Sequence, residues 1–294
     1  MADLYAGAEL GGTKCVLLLA GGPNDIVERE QVPTTSVDET LAAMEAVLAK
    51  WQDKRGFKSL GIGSFGPLDL DPNSSTYGQI TTTPKPGWTG APVLERLQRA
   101  AGVASAIDTD VNGAALAEMR WGSGRDFEDF AYITVGTGVG VGLIVNGQPT
   151  RGFAHCELGH IRPARLAGDD WPGSCPYHGD CVEGLAAGPA LKARLGDTDP
   201  SQLPTDHPVW ESVAWAIAQM CHAIVCASAP RAIAIGGGVV SGNPQLLDKI
   251  DSMLVASLAG YLRLPEAKPY VRAPELGDNA GPLGAIALAM NAKP

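Results

Sequence analysis

Apolar residues dominate from Leu4 to Ala20 (LYAGAELGGTKCVLLLA), interrupted by a pair of glycines, which predicts strand, glycine turn, strand. The same layout recurs at residues 130–147 (FAYITVGTGVGVGLIVNG). Glycine at both bends suits a backbone that must turn sharply or approach a ligand closely. The two stretches read as an internal repeat at the scale of a domain, and predict two lobes of similar topology facing each other.

Between them the period changes. Residues 38–54 (DETLAAMEAVLAKWQDK) show helical spacing, with Asp38 as the candidate N-cap. SLGIGSFGPLDL reads as a strand running into a loop, and APVLERLQRAAG as a helix ending at glycine. ASAIDTDVNGAALAEMRWG reads as a short strand, a polar turn and a helix. Further on, DHPVWESVAWAIAQMCHAIVCASAP predicts a long, largely apolar, buried helix. RAIAIGGG predicts a strand ending in glycines, and DNAGPLGAIALAMNA a final helix. Residues 149–189, rich in Pro and Gly, read as mostly irregular. Strands alternating with helices place the chain in the α/β class.

The chain has 294 residues, enough for two domains, and is 45% hydrophobic and 18% charged, as a soluble globular protein is. A net charge of −10 argues against a nucleic-acid surface and against an anionic membrane. It leaves room for a phosphorylated ligand, since a few N–H groups and one lysine bind a phosphate locally. The N-terminus (MADLYAGAEL) carries acids and no basic segment, unlike a signal peptide. No apolar run approaches the roughly 18 residues of a membrane span. A cytoplasmic protein is expected. Six cysteines do not make a disulfide framework at this length, and Cys15, Cys221 and Cys226 read as small buried hydrophobes.

Three glycine clusters stand out. LGGTK (residues 10–14) offers close backbone approach, a hydroxyl and a positive charge, without the Walker spacing. VGTGVGVG (135–142) has a threonine but no lysine, and AIGGGVVSGN (234–243) is the third. Each alone is as well read as a turn; together they suit a nucleotide with a triphosphate tail. IDTDVNGAALAE sets Asp108 and Asp110 before a helix, where a carboxylate either caps the helix or accepts a proton from a substrate hydroxyl. AHCELGH places Glu157 between two histidines whose spacing is not that of a zinc protease. CPYHGDC then supplies Cys175, His178 and Cys181, which with His160 make a Cys₂His₂ set suited to tetrahedral zinc.

Taken together, these segments resemble the ROK family of sugar kinases, and within it the bacterial fructokinase branch. The resemblance runs from LYAGAELGGTK to LGDNAGPLGAIALA and is most specific in SFGPLDLDPNSSTYGQITTTPKPGW, AHCELGH, CPYHGDCVEGLAAGPA and AIGGGVVSGNP. It implies two actin-like lobes built in the RNase H manner, with the active site in the cleft between them. The expected division is residues 1–117, with the helix at 280–294 packing back on that lobe, and residues 118–279, which carry the zinc segment.

The resemblance also implies roles. Gly11, Gly12, Thr13 and Lys14 match the first phosphate loop; Gly136, Thr137 and Gly138 the second; Gly236, Gly237 and Gly238 the adenosine segment. Asp110 matches the catalytic base, and Glu157 a sugar ligand, with Thr109, Gly66 and Pro67 beside the sugar. Many relatives carry Asn at the place of Thr109 and Asp at that of Glu9, the fructokinase branch sharing Glu. His160, Cys175, His178 and Cys181 match the family's zinc position, and four protein ligands make such a site structural. The implied activity is ATP-dependent phosphorylation of fructose to fructose 6-phosphate, with Mg²⁺ held mostly by phosphates and water. Alternatives are a kinase for mannose, glucose or an N-acetylated hexosamine, and a sugar-sensing regulator, though the family's repressors carry a helix-turn-helix module ahead of the first strand. A homodimer is the family expectation. Since the glycine bends lie elsewhere in the chain, loss of zinc is expected to leave ATP binding little changed.

Overall fold

The computed structural model describes residues 3–266 and 269–293. The chain divides into two compact units. One comprises the residues through Arg125, the segment Pro149–His155 and the C-terminal residues from Asp278; the other comprises Asp126–Gln148 and Cys156–Gly277.

The first unit is built on β1 (Tyr5–Leu10), β2 (Lys14–Gly22), β3 (Asp25–Pro33), β4 (Leu60–Ser64) and β5 (Ser105–Thr109), in the order β3-β2-β1-β4-β5. β1, β2 and β3 pair antiparallel, while β4 joins β1 and β5 joins β4 in parallel. Strand β3, which the apolar pattern does not reveal, is an edge strand carrying Asp25, Glu28, Arg29 and Glu30, as edges that must resist further pairing do. Helices α1 (Val37–Lys54), α2 (Val93–Ala101) and α3 (Asp110–Trp121) complete the unit's first pass. The cap of α1 is Ser36, whose hydroxyl accepts the Glu39 N–H at 3.4 Å, rather than Asp38, which sits in the first turn. Helix α2 ends as its sequence predicts, at Gly102 in the left-handed conformation. One core, including Leu17, Leu41, Met44, Leu48, Trp51, Ile62 and Trp88, is fully buried.

The second unit's sheet runs β10-β9-β6-β7-β8, with β6 (Phe130–Val135), β7 (Val139–Val145), β9 (Ile233–Gly236) and β10 (Val271–Arg272) inside the unit and β8 (Gln148–Pro149) at its boundary. β6 and β7 are antiparallel; β9 joins β6 and β10 joins β9 in parallel. Reversed, this is the strand order of the first unit, so the repeated strand, turn, strand pattern marks a true repeat of topology. Helices α4 (Val182–Ala186), α5 (Gly188–Leu195), α6 (Pro208–Ser228), α7 (Gly238–Ser241) and α8 (Gln245–Leu258) follow. Helix α6 is long and apolar enough to cross a membrane, contrary to the reading that no run approaches that length, but 67% of its most apolar window is buried. Trp210, Val213, Ile217, Cys221 and Ile224 lie in the unit's core, so α6 is a core helix. Cys15 and Cys221 are buried as expected; Cys226, near the end of α6, is exposed instead.

The last helix, α9 (Ala280–Met290), returns to the first unit and packs on β1, β4 and α3. Glycines make the approach possible. A Cβ on Gly61 would stand 1.9 Å from the Ala285 carbonyl oxygen, and one on Gly284 2.4 Å from the Gly113 backbone.

Candidate functional site

In the first unit, the candidate residues gather at the ends of β1 and β5. The LGGTK bend closes through the Gly11 N–H, which donates to the Lys14 carbonyl at 3.1 Å. Thr34 holds it from the side, its hydroxyl donating to the Gly11 carbonyl at 2.8 Å and its N–H to the Thr13 carbonyl at 3.0 Å. Gly12, Thr13 and Lys14 are exposed at the tip, and a Cβ on Gly12 would meet nothing within 4 Å. Backbone is thus held rigid beside open space, which is what close approach by an anion requires.

β5 runs directly into α3, with no intervening turn. Thr109 is the cap: its hydroxyl accepts the Asn112 N–H at 3.2 Å, and the residue is buried. Its hydroxyl keeps its hydrogen and one lone pair for another partner. The two aspartates separate cleanly. Asp108 is buried and saturated: one oxygen accepts the Thr109 N–H and the Asn112 side-chain amide, both at 2.8 Å, and the other pairs with Arg151. Asp110 is the first residue of α3, its Oδ1 accepting the neighbouring Val111 N–H at 2.9 Å. Burial among protein atoms pushes its carboxyl up to about 6, against the pull of backbone N–H groups. Of the two, Asp110 has the basicity and the spare lone pairs of a general base.

Glu9, at the end of β1, shares this environment. Its carboxyl is raised to about 7, chiefly by burial and then by the charge of Asp110, with Lys14 and Arg29 opposing. It lies against the start of α9, where a Cβ on Gly281 would come 1.9 Å from Glu9 Oε1. Gly66 and Pro67 follow β4, joined by a cis peptide bond. They are held by His155, whose Nε2 accepts the Leu68 N–H at 3.0 Å, and by the Thr81 N–H, which donates to the Pro67 carbonyl at 2.7 Å.

In the second unit, the VGTGVG bend joins β6 to β7. The Gly136 N–H donates to the Gly138 carbonyl at 2.9 Å, and the Gly188 N–H to the Gly136 carbonyl at 2.8 Å. Gly136, Thr137, Gly188, Pro189, Gly238 and Val239 line an open pocket of about 400 Å³. Gly238 is thus at the pocket. Gly237 serves the turn behind it, with φ +87° and a would-be Cβ 2.5 Å from Val135 backbone atoms. Gly236 ends β9 against Pro274 and Tyr132.

His160, Cys175, His178 and Cys181 come together, their ligand atoms all within 4.8 Å of one another. Cys175 Sγ is 3.9 Å from His160 Nδ1 and 3.7 Å from His178 Nδ1; Cys181 Sγ is 3.6 Å from His160 Nδ1. Sulfur and nitrogen bound to one tetrahedral zinc stand about 3.6 Å apart, given the usual bond lengths. The donor set and spacing fit Zn²⁺, and the cysteines are free thiols.

Two connections escaped the sequence. Glu183, two residues after Cys181, has its Oε1 3.9 Å from His160 Nε2, while its Oε2 accepts the Val139 N–H at 3.0 Å. Gly159 packs under β7, where a Cβ would stand 1.9 Å from the Val139 carbonyl oxygen. The Cys/His cluster is therefore tied to the second glycine bend, and the expectation that sequence distance isolates the two is corrected. The only sequence signal was the placing of Glu183 beside a proposed ligand.

The ROK family profile matches residues 5–292. The chain is 39% identical to the fructokinase of Pediococcus pentosaceus, over 98% of each chain. It is 38% identical to a putative fructokinase of Bacillus subtilis, over 98% of this chain and 96% of that one. Among solved structures, a ROK family glucokinase from Streptomyces griseus, in complex with glucose and AMPPNP, superposes with a TM-score of 0.75 at 25% identity, over 99% of this chain and 100% of that one. By repeated topology, by motifs along its whole length and by these likenesses, the chain belongs to the ROK family.

Proposed function

We propose that the protein is a fructokinase that transfers the γ-phosphoryl group of ATP to fructose, giving fructose 6-phosphate and ADP. The observation that carries this is Asp110: a carboxyl raised to about 6, with no ion-pair partner among the described residues, at the junction of β5 and α3. The full-length likeness to two fructokinases supports the choice of sugar. The pocket at Gly136, Thr137 and Gly238 takes the nucleotide, and the Gly11–Lys14 bend its phosphates. Asp110 accepts the proton of the sugar hydroxyl as the oxygen–phosphorus bond forms and the bond to the ADP oxygen breaks. Glu157 holds the sugar. Mg²⁺, held mostly by the phosphates and water, would neutralise phosphate charge, with Glu9 the nearby carboxyl that could assist it, which leaves Asp110 to take the proton.

His160, Cys175, His178 and Cys181 would hold Zn²⁺ with four protein ligands, which cross-links the segment they lie on. A cytoplasmic homodimer completes the reading on the family expectation; sedimentation of purified protein checks the dimer.

The test is an ATP-dependent phosphorylation screen over fructose, mannose, glucose and N-acetylmannosamine. kcat/KM for fructose should exceed that for glucose by at least about tenfold, about 1.4 kcal/mol of transition-state binding. The likeness to a ROK glucokinase makes glucose the competing substrate. Equal efficiency on the two, or preference for another hexose, replaces the fructose assignment.

A further inference from the structure

A phosphate arriving at the first glycine bend meets an acidic neighbourhood, since Glu9 precedes the bend and Asp110 acts on Glu9 electrostatically. Lys14, the lysine the motif offers, opens β2 with an exposed side chain. A second lysine reaches the bend from elsewhere. Lys85, in TPKPGW, donates from its ammonium to the Gly12 carbonyl at 2.6 Å.

Its position is built rather than incidental. The ammonium lies 5.9 Å from the centre of the Trp88 ring. Trp88 is fully buried, its indole N–H donates to the Thr35 carbonyl at 3.0 Å, and Phe65 packs edge-on at 5.2 Å. The Trp88 backbone N–H donates to the Lys85 carbonyl at 3.2 Å, closing the turn that presents the lysine. A lysine ammonium has three N–H donors, and one is used on Gly12. Among the described residues no carboxylate pairs with it. A carbonyl partner orients the charge without cancelling it. The space over Gly12 is open.

We infer that Lys85 is a phosphate-binding residue of the first glycine bend, holding the terminal phosphoryl group of the nucleotide through its transfer to the sugar. The inference rests on the phosphotransfer reading above and adds a cation that no glycine motif contains. The competing role is a tether, in which Lys85 does no more than fasten the TPKPGW segment to the bend.

Charge separates the two. Lys85→Met should lower kcat by about 100-fold, the scale for losing one transition-state donor. It should weaken binding of a non-hydrolysable ATP analogue by about tenfold, as for loss of a charged hydrogen bond, and leave adenosine binding unchanged. Lys85→Arg should restore most of both. Lys85→Gln keeps an uncharged N–H donor for the Gly12 carbonyl and removes only the charge; it should lose as much as Lys85→Met. The proposal is overturned by a Lys85→Met enzyme within about threefold of wild type in both measurements, or by Lys85→Gln restoring both as fully as Lys85→Arg. It is equally overturned if adenosine and analogue affinities fall together. If wild-type protein phosphorylates a different hexose, the fructose reading fails and Lys85 is judged on that hexose. If it phosphorylates none, the kinase reading fails and the analogue-to-adenosine comparison alone judges Lys85.

Discussion

His160 and Glu157 share a single 3₁₀ turn, in which the His160 N–H donates to the Glu157 carbonyl at 3.0 Å. The residue proposed to ligate zinc and the residue proposed to hold the sugar therefore move as one. The turn is pinned below by Gly159 against β7, and Glu183 links His160 to the Val139 N–H beside the second glycine bend.

Purified protein should contain about one zinc per chain, and Cys175→Ser or Cys181→Ser should release it, since a serine hydroxyl is a poor ligand. The melting temperature should fall by about 5 °C or more. Sugar affinity should drop as the Glu157 turn loosens, and nucleotide affinity should drop as well, because Glu183 and Gly159 join the cluster to the bend. Metal analysis, calorimetry and titration with each substrate check this; nucleotide affinity unchanged in the zinc-free variant would deny the coupling.

Asp110→Asn keeps the size of the side chain and removes the proposed base. kcat should fall roughly 10²–10⁴-fold with sugar binding largely kept. In wild-type enzyme, kcat/KM should decline as pH falls through about 6, because Asp110 must be ionised to accept the proton. Turnover close to normal in the variant would reduce Asp110 to a residue of the helix start.

Glu9 links stability to pH. Its carboxyl titrates at about 7 in the folded protein and at 4.5 in the ordinary case. The folded state therefore holds its proton more tightly, so its contribution to stability is fullest below about 4.5 and declines as pH rises toward 7, by a few kcal/mol at most. Glu9→Gln should flatten that decline and raise the melting temperature at pH 8 relative to wild type, while impairing activity. Thermal melts across pH 5–8 read both effects. A variant with the same pH dependence as wild type would remove Glu9 as the cause.

Gly284→Ala tests the return of α9 to the first unit. The added methyl would stand 2.4 Å from the Gly113 backbone, and two helix backbones cannot yield as a side chain can. A loss of about 3 kcal/mol or more is expected in denaturant unfolding. A near-wild-type midpoint would mean that α3 and α9 can separate without penalty.

The main elements were legible in the sequence because β1, β2, α6 and α9 are apolar runs bounded by glycines or polar segments, and α2 because one face of it is apolar; all stand where the pattern puts them. The clustering of His160, Cys175, His178 and Cys181 was legible for a different reason. A candidate metal site needs only the right atom types at short spacing, and CPYHGDC supplies three of the four within one loop. β3 was not legible, since a charged edge strand has no apolar face to announce it. Asp108 and Asp110 looked alike, two acids with one residue between them; Arg151, arriving from a distant segment, pairs with the first and leaves the second for the proposed role. Thr109 took the capping place because the chain passes from β5 to α3 without a turn, a matter of backbone direction that composition does not record. Lys85 shows the same limit: nothing in TPKPGW says that its ammonium meets Gly12, because the two are joined by the pairing of β1, β2 and the loop beyond β4, and contacts between distant segments exist only once the chain has packed.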